Sequence, residues 1–344
     1  MIYRCAMPED GQAMLRLMEA HPASGGMQIL LTRRPDAYQS YCSENPDVET
    51  MLCVDDGKQI LAQIVCLPRK LYIGREVQRV GYLTGLHKEE GARVNLMKML
   101  DTGHYQSSLS HFFCAMLDSN RSAYDVFAKR GLIHPMCAYS TYLLHPASPK
   151  RMKSGYAFRR ATPGDEESLL AFYREVGSGY AYYPAFGSME DYAGLSLSDF
   201  YLLEDGRGLV AAGALWNQQA YKQYVSLGYH GVYRLAARCN PLLRLLRYPP
   251  LPPVGSGANF AYLSFLLCRE ECQDAACVLL GELAHVGSSF DFLAIGVVQG
   301  EPLGEVLDMT KSIRIGSKLC LVDYARTASL PSYAEPYRFE CALL

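Results

Sequence analysis

Tryptophan occurs once in this chain, and charge of neither sign dominates it. The 33 basic and 35 acidic residues are dispersed, giving a net charge of −2, so no basic stripe marks a nucleic-acid surface. Missing too is any apolar run near the roughly 18 residues that a membrane span requires. The N-terminus enters the patterned segment Ile2 to Asp10 at once, without the basic stretch, apolar core and cleavage site of a secretory leader. A cytoplasmic protein with no membrane span is the expectation. No GxSxG elbow, HExxH helix, P-loop or dinucleotide fingerprint appears, which removes those hydrolase, metalloprotease and nucleotide-binding readings. The 12 cysteines sit mostly as single residues in apolar stretches such as MLCV and IVCL, as small buried hydrophobes do. Only Cys268, Cys272 and Cys277 cluster; they lack paired CxxC spacing and a nearby histidine pair, so no metal site is expected.

What the chain does have is a repeated phrase. YRCAMPED at Tyr3–Asp10 returns as FRRATPGD at Phe158–Asp165, and Arg4, Ala6, Pro8 and Asp10 meet Arg159, Ala161, Pro163 and Asp165 at one constant offset. Apolar residues follow at helical spacing in both copies: Met14, Leu15, Leu17 and Met18, then Leu169, Leu170, Phe172 and Tyr173. Asp10 and Asp165 stand where a carboxylate would cap a helix start. At 344 residues, 49% of them hydrophobic, the chain is long enough for two globular domains, each with its own core.

The later elements repeat as well. TMLCVDDGKQILAQIVCL and FYLLEDGRGLVAAGALW read as hairpins turning at Asp56-Gly57 and Asp205-Gly206, and a further turn at Gly74 leads to a third strand ending near Leu86. A helix is predicted over Ala92–Leu100, a buried strand at SHFFCAML, a helix over Asn120–Arg130 closed by Gly131, and a strand at CAYSTYLL. The second copy gives a strand at NFAYLSFLLC, a helix from Asp274 to His285, a strand at FDFLAIGVV and closing strands in KSIRIGSKLCLVDY. The predicted organisation is a domain over 1–147, a linker over 148–155, and a domain over 156–324. The second domain carries a basic helical and proline-rich insertion at 230–259, and a tail over 325–344 is a candidate added strand. The aromatic, glycine-spaced segment 177–192 suits a loop packed on the core, a ligand wall or a joint between halves.

The order strand, helix, three antiparallel strands, helix, strand, helix, strand, opened by Φ-R-x-A-x-P-x-D, resembles the GNAT superfamily of acyl-CoA-dependent N-acyltransferases. It does so over about residues 1–145 and again over about 156–324. The resemblance implies an α/β (α+β) fold of two tandem GNAT-like domains, each a mixed, mainly antiparallel sheet flanked by helices. It also implies acetyl-CoA or another acyl-CoA as co-substrate, without metal, and a small-molecule or peptide amine as acceptor. The first domain is the expected acyl-CoA site. The stretch LHKEEGARVN matches the family's phosphate loop, so Leu86, His87, Gly91, Arg93, Val94 and Asn95 are the implied cofactor-binding residues, with Asn120 beyond the next strand. Free N–H groups and the dipole at a helix start favour such an anion. Of the family's general-acid helix, Asn120, Ala123 and Gly131 match, but Phe127 stands at the tyrosine position; Tyr124, one turn earlier, is the substitute. Glu89 and Glu90, with His87, are candidate bases, and Asp291 and Asp308 their counterparts in the second copy. The other reading is a non-catalytic protein that binds CoA or another small ligand, or scaffolds a partner. The missing glycines and Phe127 favour it.

Overall fold

The structure is a computed structural model that describes residues 1–22, 25–54, 59–326 and 333–344. The first half runs β1 (Ile2–Cys5), α1 (Gly11–Glu19), β2 (Met27–Thr32), α2 (Ala37–Glu44), β3 (Glu49–Val54), β4 (Ile60–Ile73), β5 (Glu76–Lys88), α3 (Leu96–Gln106), β6 (Phe112–Leu117), α4 (Arg121–Ala128) and β7 (Ile133–Leu144). The second runs β8 (Ala157–Arg160), α5 (Glu166–Gly177), β9 (Phe200–Asp205), β10 (Gly208–Trp216), β11 (Gln223–Tyr229), α6 (Val232–Arg238), α7 (Asn240–Leu245), β12 (Phe260–Cys268), α8 (Gln273–Val286), β13 (Phe292–Val298), α9 (Pro302–Asp308) and β14 (Ser312–Val322). Among the described residues no helix is long and apolar enough to cross a membrane.

The repeated phrase builds the same clasp twice. Arg4 grips Asp10 through two hydrogen bonds of 2.6 and 2.8 Å, and Arg159 grips Asp165 through two of 2.7 Å. Each carboxylate also accepts the N–H of the residue before the proline, Met7 or Thr162, at 2.8 Å. The aspartates therefore close a short 3-10 turn behind them and do not cap the helix ahead of them. Bidentate arginine–carboxylate pairing fixes the angle at which each first strand enters its helix. Met14, Leu15, Leu17 and Met18 are buried under α1, and Leu169, Phe172 and Tyr173 under α5.

Twelve strands form one sheet in the order β1-β3-β4-β5-β6-β14-β7-β13-β12-β10-β9-β8. Among the described residues, β5–β6 and β12–β13 are the parallel strand pairs of this sheet. The final strand of each half is exchanged: β14 pairs with β6, β7 pairs with β13, and the two exchanged strands pair with each other from Ser312↔Leu144 to Val322↔Ile133. One core cluster, with Met14, Tyr41, Phe172, Trp216 and Phe339, fills the sheet face under α1, α2 and α5 across both halves. The opposite face is covered by α3 and α4 at one end and by α8 and α9 at the other.

Several expectations change in detail. The third helix begins at Leu96, four residues later than periodicity placed it, because the Asn95 side chain accepts the Lys98 N–H and caps it there. The turn at Asp56-Gly57 lies outside the described residues. The insertion at 230–259 holds two short helices, broken beside Pro241, whose ring cannot continue the first. Residues 333–344 form no strand; they make one bridge, Ala181↔Tyr337, and a 3-10 turn at Cys341–Leu343, because their polar groups bond into the gap between β12 and β13. The aromatic segment is a joint between the halves: the Tyr72 N–H donates to the Tyr183 carbonyl, the Tyr72 carbonyl accepts the Tyr182 N–H, the Lys70 carbonyl accepts the Ala185 N–H, and Tyr182, Tyr183 and Phe186 are buried.

Candidate functional site

The two parallel strand pairs each open into a cleft. β5 and β6 are in register only from Gly81↔Phe112 to Leu83↔Cys114, and β12 and β13 only from Phe260↔Phe292 to Tyr262↔Ala294; beyond those points the strands diverge. At each divergence the antiparallel neighbour shows the same bulge. On β4, Val65 faces Thr84 and Gln63 faces His87, which leaves Gly85-Leu86 as the extra residues. On β10, Ala214 faces Ser264 and Ala212 faces Leu267, which leaves Phe265-Leu266. Gly85 has φ +60 and Phe265 φ +54, so the two bulges share one backbone shape.

Only glycine adopts that φ freely, and the side chain decides what each bulge becomes. A Cβ on Gly85 would lie 2.7 Å from the Tyr41 hydroxyl. Tyr41 is itself fixed by the Arg33 guanidinium, 3.8 Å above its ring. In the second half the Phe265 ring fills the corresponding space, packed on Phe186 and Trp216 at 4.8 and 5.7 Å between centroids. Its positive φ is held from both sides: the Tyr173 hydroxyl donates to the Phe265 carbonyl at 3.0 Å, and the Phe265 N–H donates to the Glu340 carboxylate at 2.6 Å.

The second cleft is thereby filled by the chain itself. Arg338 donates to the Leu266 carbonyl at 2.7 Å, and the other Glu340 oxygen accepts the Ala342 N–H at 3.1 Å. β12 is buried from Phe260 to Leu267. Burial pushes the Glu340 carboxyl up to about 7, against the two N–H donors and the Ser264 hydroxyl, which favour its ionised form. The first cleft is different. Thr84 to Lys88 and Cys114 to Met116 are only half-buried, and Leu117 is exposed.

The expected site residues distribute around that open cleft in two groups. Leu86, Val94 and Tyr124 pack at the edge of one apolar cluster, below α3 and α4. Lys318 from the exchanged β14 places its ammonium 4.5 Å over the Tyr124 ring. Phe127 is buried in the same cluster. Gly91, at φ +76 with open space around it, turns the connection into α3, and Arg93 is exposed beside it. Among the described residues the N–H groups of Arg93, Val94, Leu96 and Met97 meet no acceptor, whereas the Asn95 N–H lies near enough to the Tyr3 hydroxyl to influence it. Arg93 and Val94 thus keep free N–H groups at this helix start.

His87 lies apart from that group, because strand alternation turns it to the α1 face beside the His21 ring, 5.9 Å away. Burial and then the His21 charge lower its pKa to about 4, so it is a neutral imidazole at neutral pH. Glu90 is exposed in the connecting turn, Glu89 is half-buried with its N–H bonded to the Leu61 carbonyl, and Asn120 is exposed at the start of α4. Asp291 and Asp308 are engaged in structural bonds, to Arg244 at 2.7 Å and to the Tyr142 hydroxyl at 2.5 Å. Glu340 and the paired bulges were not among the expected residues. The signal was present, since TGL at 84–86 aligns with SFL at 264–266, a hydroxyl residue and a leucine flanking the position, Gly85 or Phe265, that decides between open and filled.

No family model matches the chain, and no curated protein sequence matches it. Solved structures do. A GCN5-related N-acetyltransferase from Sphaerobacter thermophilus is 14% identical with TM-score 0.54, covering 98% of this chain and 97% of its own. N-myristoyltransferase of Saccharomyces cerevisiae with bound myristoyl-CoA is 9% identical with TM-score 0.55, covering 93% and 82%. A probable N-acyltransferase from Enterococcus faecalis is 10% identical with TM-score 0.52, covering 93% and 71%. At these identities the likeness is one of fold: the chain has the mixed α/β fold of the GNAT superfamily.

Proposed function

We propose that the chain is an N-acyltransferase whose first cleft takes acyl-CoA and transfers its acyl group, with acetyl the simplest donor, to a primary amine of a small molecule or peptide. Residues 1–147 and 156–324 are the two copies of the plan, and the first is the working one. The observation that carries this reading is the matched pair of bulges. In the second cleft the bulge N–H donates to a carboxylate oxygen, Glu340, at 2.6 Å. With the same register and the same φ, the Gly85-Leu86 bulge aims its N–H into the open cleft, where a thioester carbonyl oxygen would sit. A fixed donor at that point stabilises the negative charge that develops on the oxygen as the amine attacks. The amine nitrogen bonds to the acyl carbon, the carbon–sulfur bond breaks, and the sulfur leaves as a thiolate that takes a proton. Tyr124 is the proposed donor of that proton.

The N–H groups of Arg93, Val94, Leu96 and Met97, with the Arg93 guanidinium, are the proposed cradle for the CoA phosphates. Glu89 and Glu90, close to the cradle, and neutral His87, on the opposite sheet face, are the candidate bases. The fold neighbours support the reaction class, since those with named activity are N-acyltransferases and one holds an acyl-CoA. The test is calorimetry of acetyl-CoA and longer acyl-CoAs against the full chain, followed by thiol-release assays with a panel of amines. Arg93→Ala is expected to weaken acyl-CoA binding by about 1.5–3 kcal/mol, the worth of a hydrogen bond to a charged group. Tyr124→Phe is expected to lower kcat with binding unchanged. Binding without thiol release on any amine favours the non-catalytic reading, for which buried Phe127 at the family's tyrosine position is the supporting observation. Absence of acyl-CoA binding defeats the transferase reading.

A further inference from the structure

A second cavity, of about 210 Å³, lies beneath the C-terminal half of α3, alongside the paired part of β5 and β6. Its floor is apolar: Met51, Ile64, Cys66, Leu100 and Phe112 are all buried. Thr50, Gln106 and Ser107 add neutral polar groups to the wall. Glu49 stands on the wall with no hydrogen bond or ion pair among the described residues, close enough to Cys66 that its charge helps to raise that thiol. His104, stacked on Tyr324 at 4.2 Å, has a buried Nδ1 that meets no partner. Tyr38 and Cys5 line the rim, and the charges of Glu9 and Asp10 reach Tyr38.

We propose that this cavity is a binding site for a small organic ammonium ion, with a ring or short hydrocarbon body seated on the apolar floor and its charged head at Glu49. The size fits, because an apolar cavity of about 150 Å³ already accepts benzene. The polarity fits as well: an unpaired carboxylate beside aromatic rings attracts a cation and repels an anion, and the orphaned His104 nitrogen on the same lining is a further acceptor for a donor group. The cavity sits on the α3 face and the proposal does not depend on acyl transfer.

The test uses the full chain without acyl-CoA and three probes of one shape: 2-phenylethylammonium, neutral 2-phenylethanol and anionic 3-phenylpropanoate. Calorimetry is expected to show saturable binding of the ammonium, about tenfold weaker binding of the alcohol, and none of the carboxylate. Glu49→Gln is expected to bring the ammonium down to the affinity of the alcohol. Gly103 lines the cavity in mid-helix, and a Cβ there meets only Met51 at an ordinary 3.7 Å. Gly103→Leu is therefore expected to fill the space and abolish binding with an unchanged far-UV spectrum. No saturable ammonium binding, equal affinity for all three probes, or binding indifferent to Glu49→Gln overturns the proposal, and that last readout stands even if the leucine variant fails to fold.

Discussion

Replacing Glu340 by glutamine isolates the self-filled cleft. The carboxyl has a pKa of about 7 in the folded protein, against an ordinary 4.5. Between those values the folded chain binds more protons at this site than the unfolded chain, so its stability falls as pH rises through the window. The loss is complete above pH 7 and absent below pH 4.5. A displacement of about 2.5 pH units at roughly 1.4 kcal/mol each makes the full effect about 3 kcal/mol. The group is fully buried, so solvent screening does not reduce it. Glutamine reproduces the protonated acid: its carbonyl oxygen still accepts the Phe265 N–H, while its amide hydrogens oppose the Ala342 N–H as the neutral carboxyl does. The variant should match the wild type near pH 4.5 and exceed it by about 3 kcal/mol at pH 8. Urea unfolding followed by circular dichroism across pH 4.5–8 reads this directly, as a slope present in the wild type and absent in Glu340→Gln. Parallel curves for the two proteins would refute the argument. They would mean that the two N–H donors, Ser264 and buried Arg338 keep the carboxylate charged at no cost.

Two further perturbations probe the frame around the open cleft. Glu44 bridges Arg33 and Arg69 at 2.5 Å each, and all three are buried; desolvation opposes the charge, but the two guanidinium groups win and lower its pKa to about 2. Glu44→Gln should cost about 3–5 kcal/mol in denaturant titration by leaving buried arginines unpaired, and the wild type should lose this contribution as pH falls from 4.5 through 2. Gly85→Ala should destabilise by at least 1–2 kcal/mol, since alanine is strained at φ +60 and its Cβ meets the Tyr41 hydroxyl; a thermal melt indistinguishable from wild type would show that the bulge can relax.

Much of the element order was legible in the sequence because it is written locally, although β2, α2, β11 and α9 were not. Apolar spacing fixed α1 and α5, glycine at φ +58 marked the turn after Ile73, and Gly131 at φ +66 marked the end of α4. What was not legible is long-range. Nothing in the alternation of CAYSTYLL says that β7 takes its neighbours from β13 and β14, because side-chain alternation is the same whichever strand lies alongside. The pairing of β2 with β11, which joins the halves in a second small sheet, is hidden for the same reason. At the start of α3 the turn at Gly91 was legible, while the helix start at Asn95 was not, since it is fixed by a side-chain cap that accepts the Lys98 N–H. Glu340 escaped because its role depends on a tail that crosses to a strand 75 residues earlier.

The exchanged strands bear on how the two clefts came to differ. Without β14, β6 would present an open edge at Phe112–Leu117, and without β7, β13 would do so along Leu293–Val298. Unpaired edges of that length invite wrong partners, so neither half is complete without the other's last strand. The second half therefore supports the first whether or not its own cleft binds anything. That frees its bulge to carry a bulky residue: Phe265 adds apolar burial at the centre of the shared core, and Glu340 satisfies the N–H that the bulge exposes. In the first half the same substitution would collide with Tyr41, which the Glu44–Arg33 pair holds in place. The glycine that keeps the first cleft open is thus imposed by a buried ion-pair network some distance along the chain, so loosening Glu44 should also loosen the bulge. Hydrogen-exchange protection of the paired residues flanking the first bulge, Val65 and Thr84, should fall in Glu44→Gln by more than that of Ala214 and Ser264 beside the second, and equal loss at both bulges would sever the connection argued here.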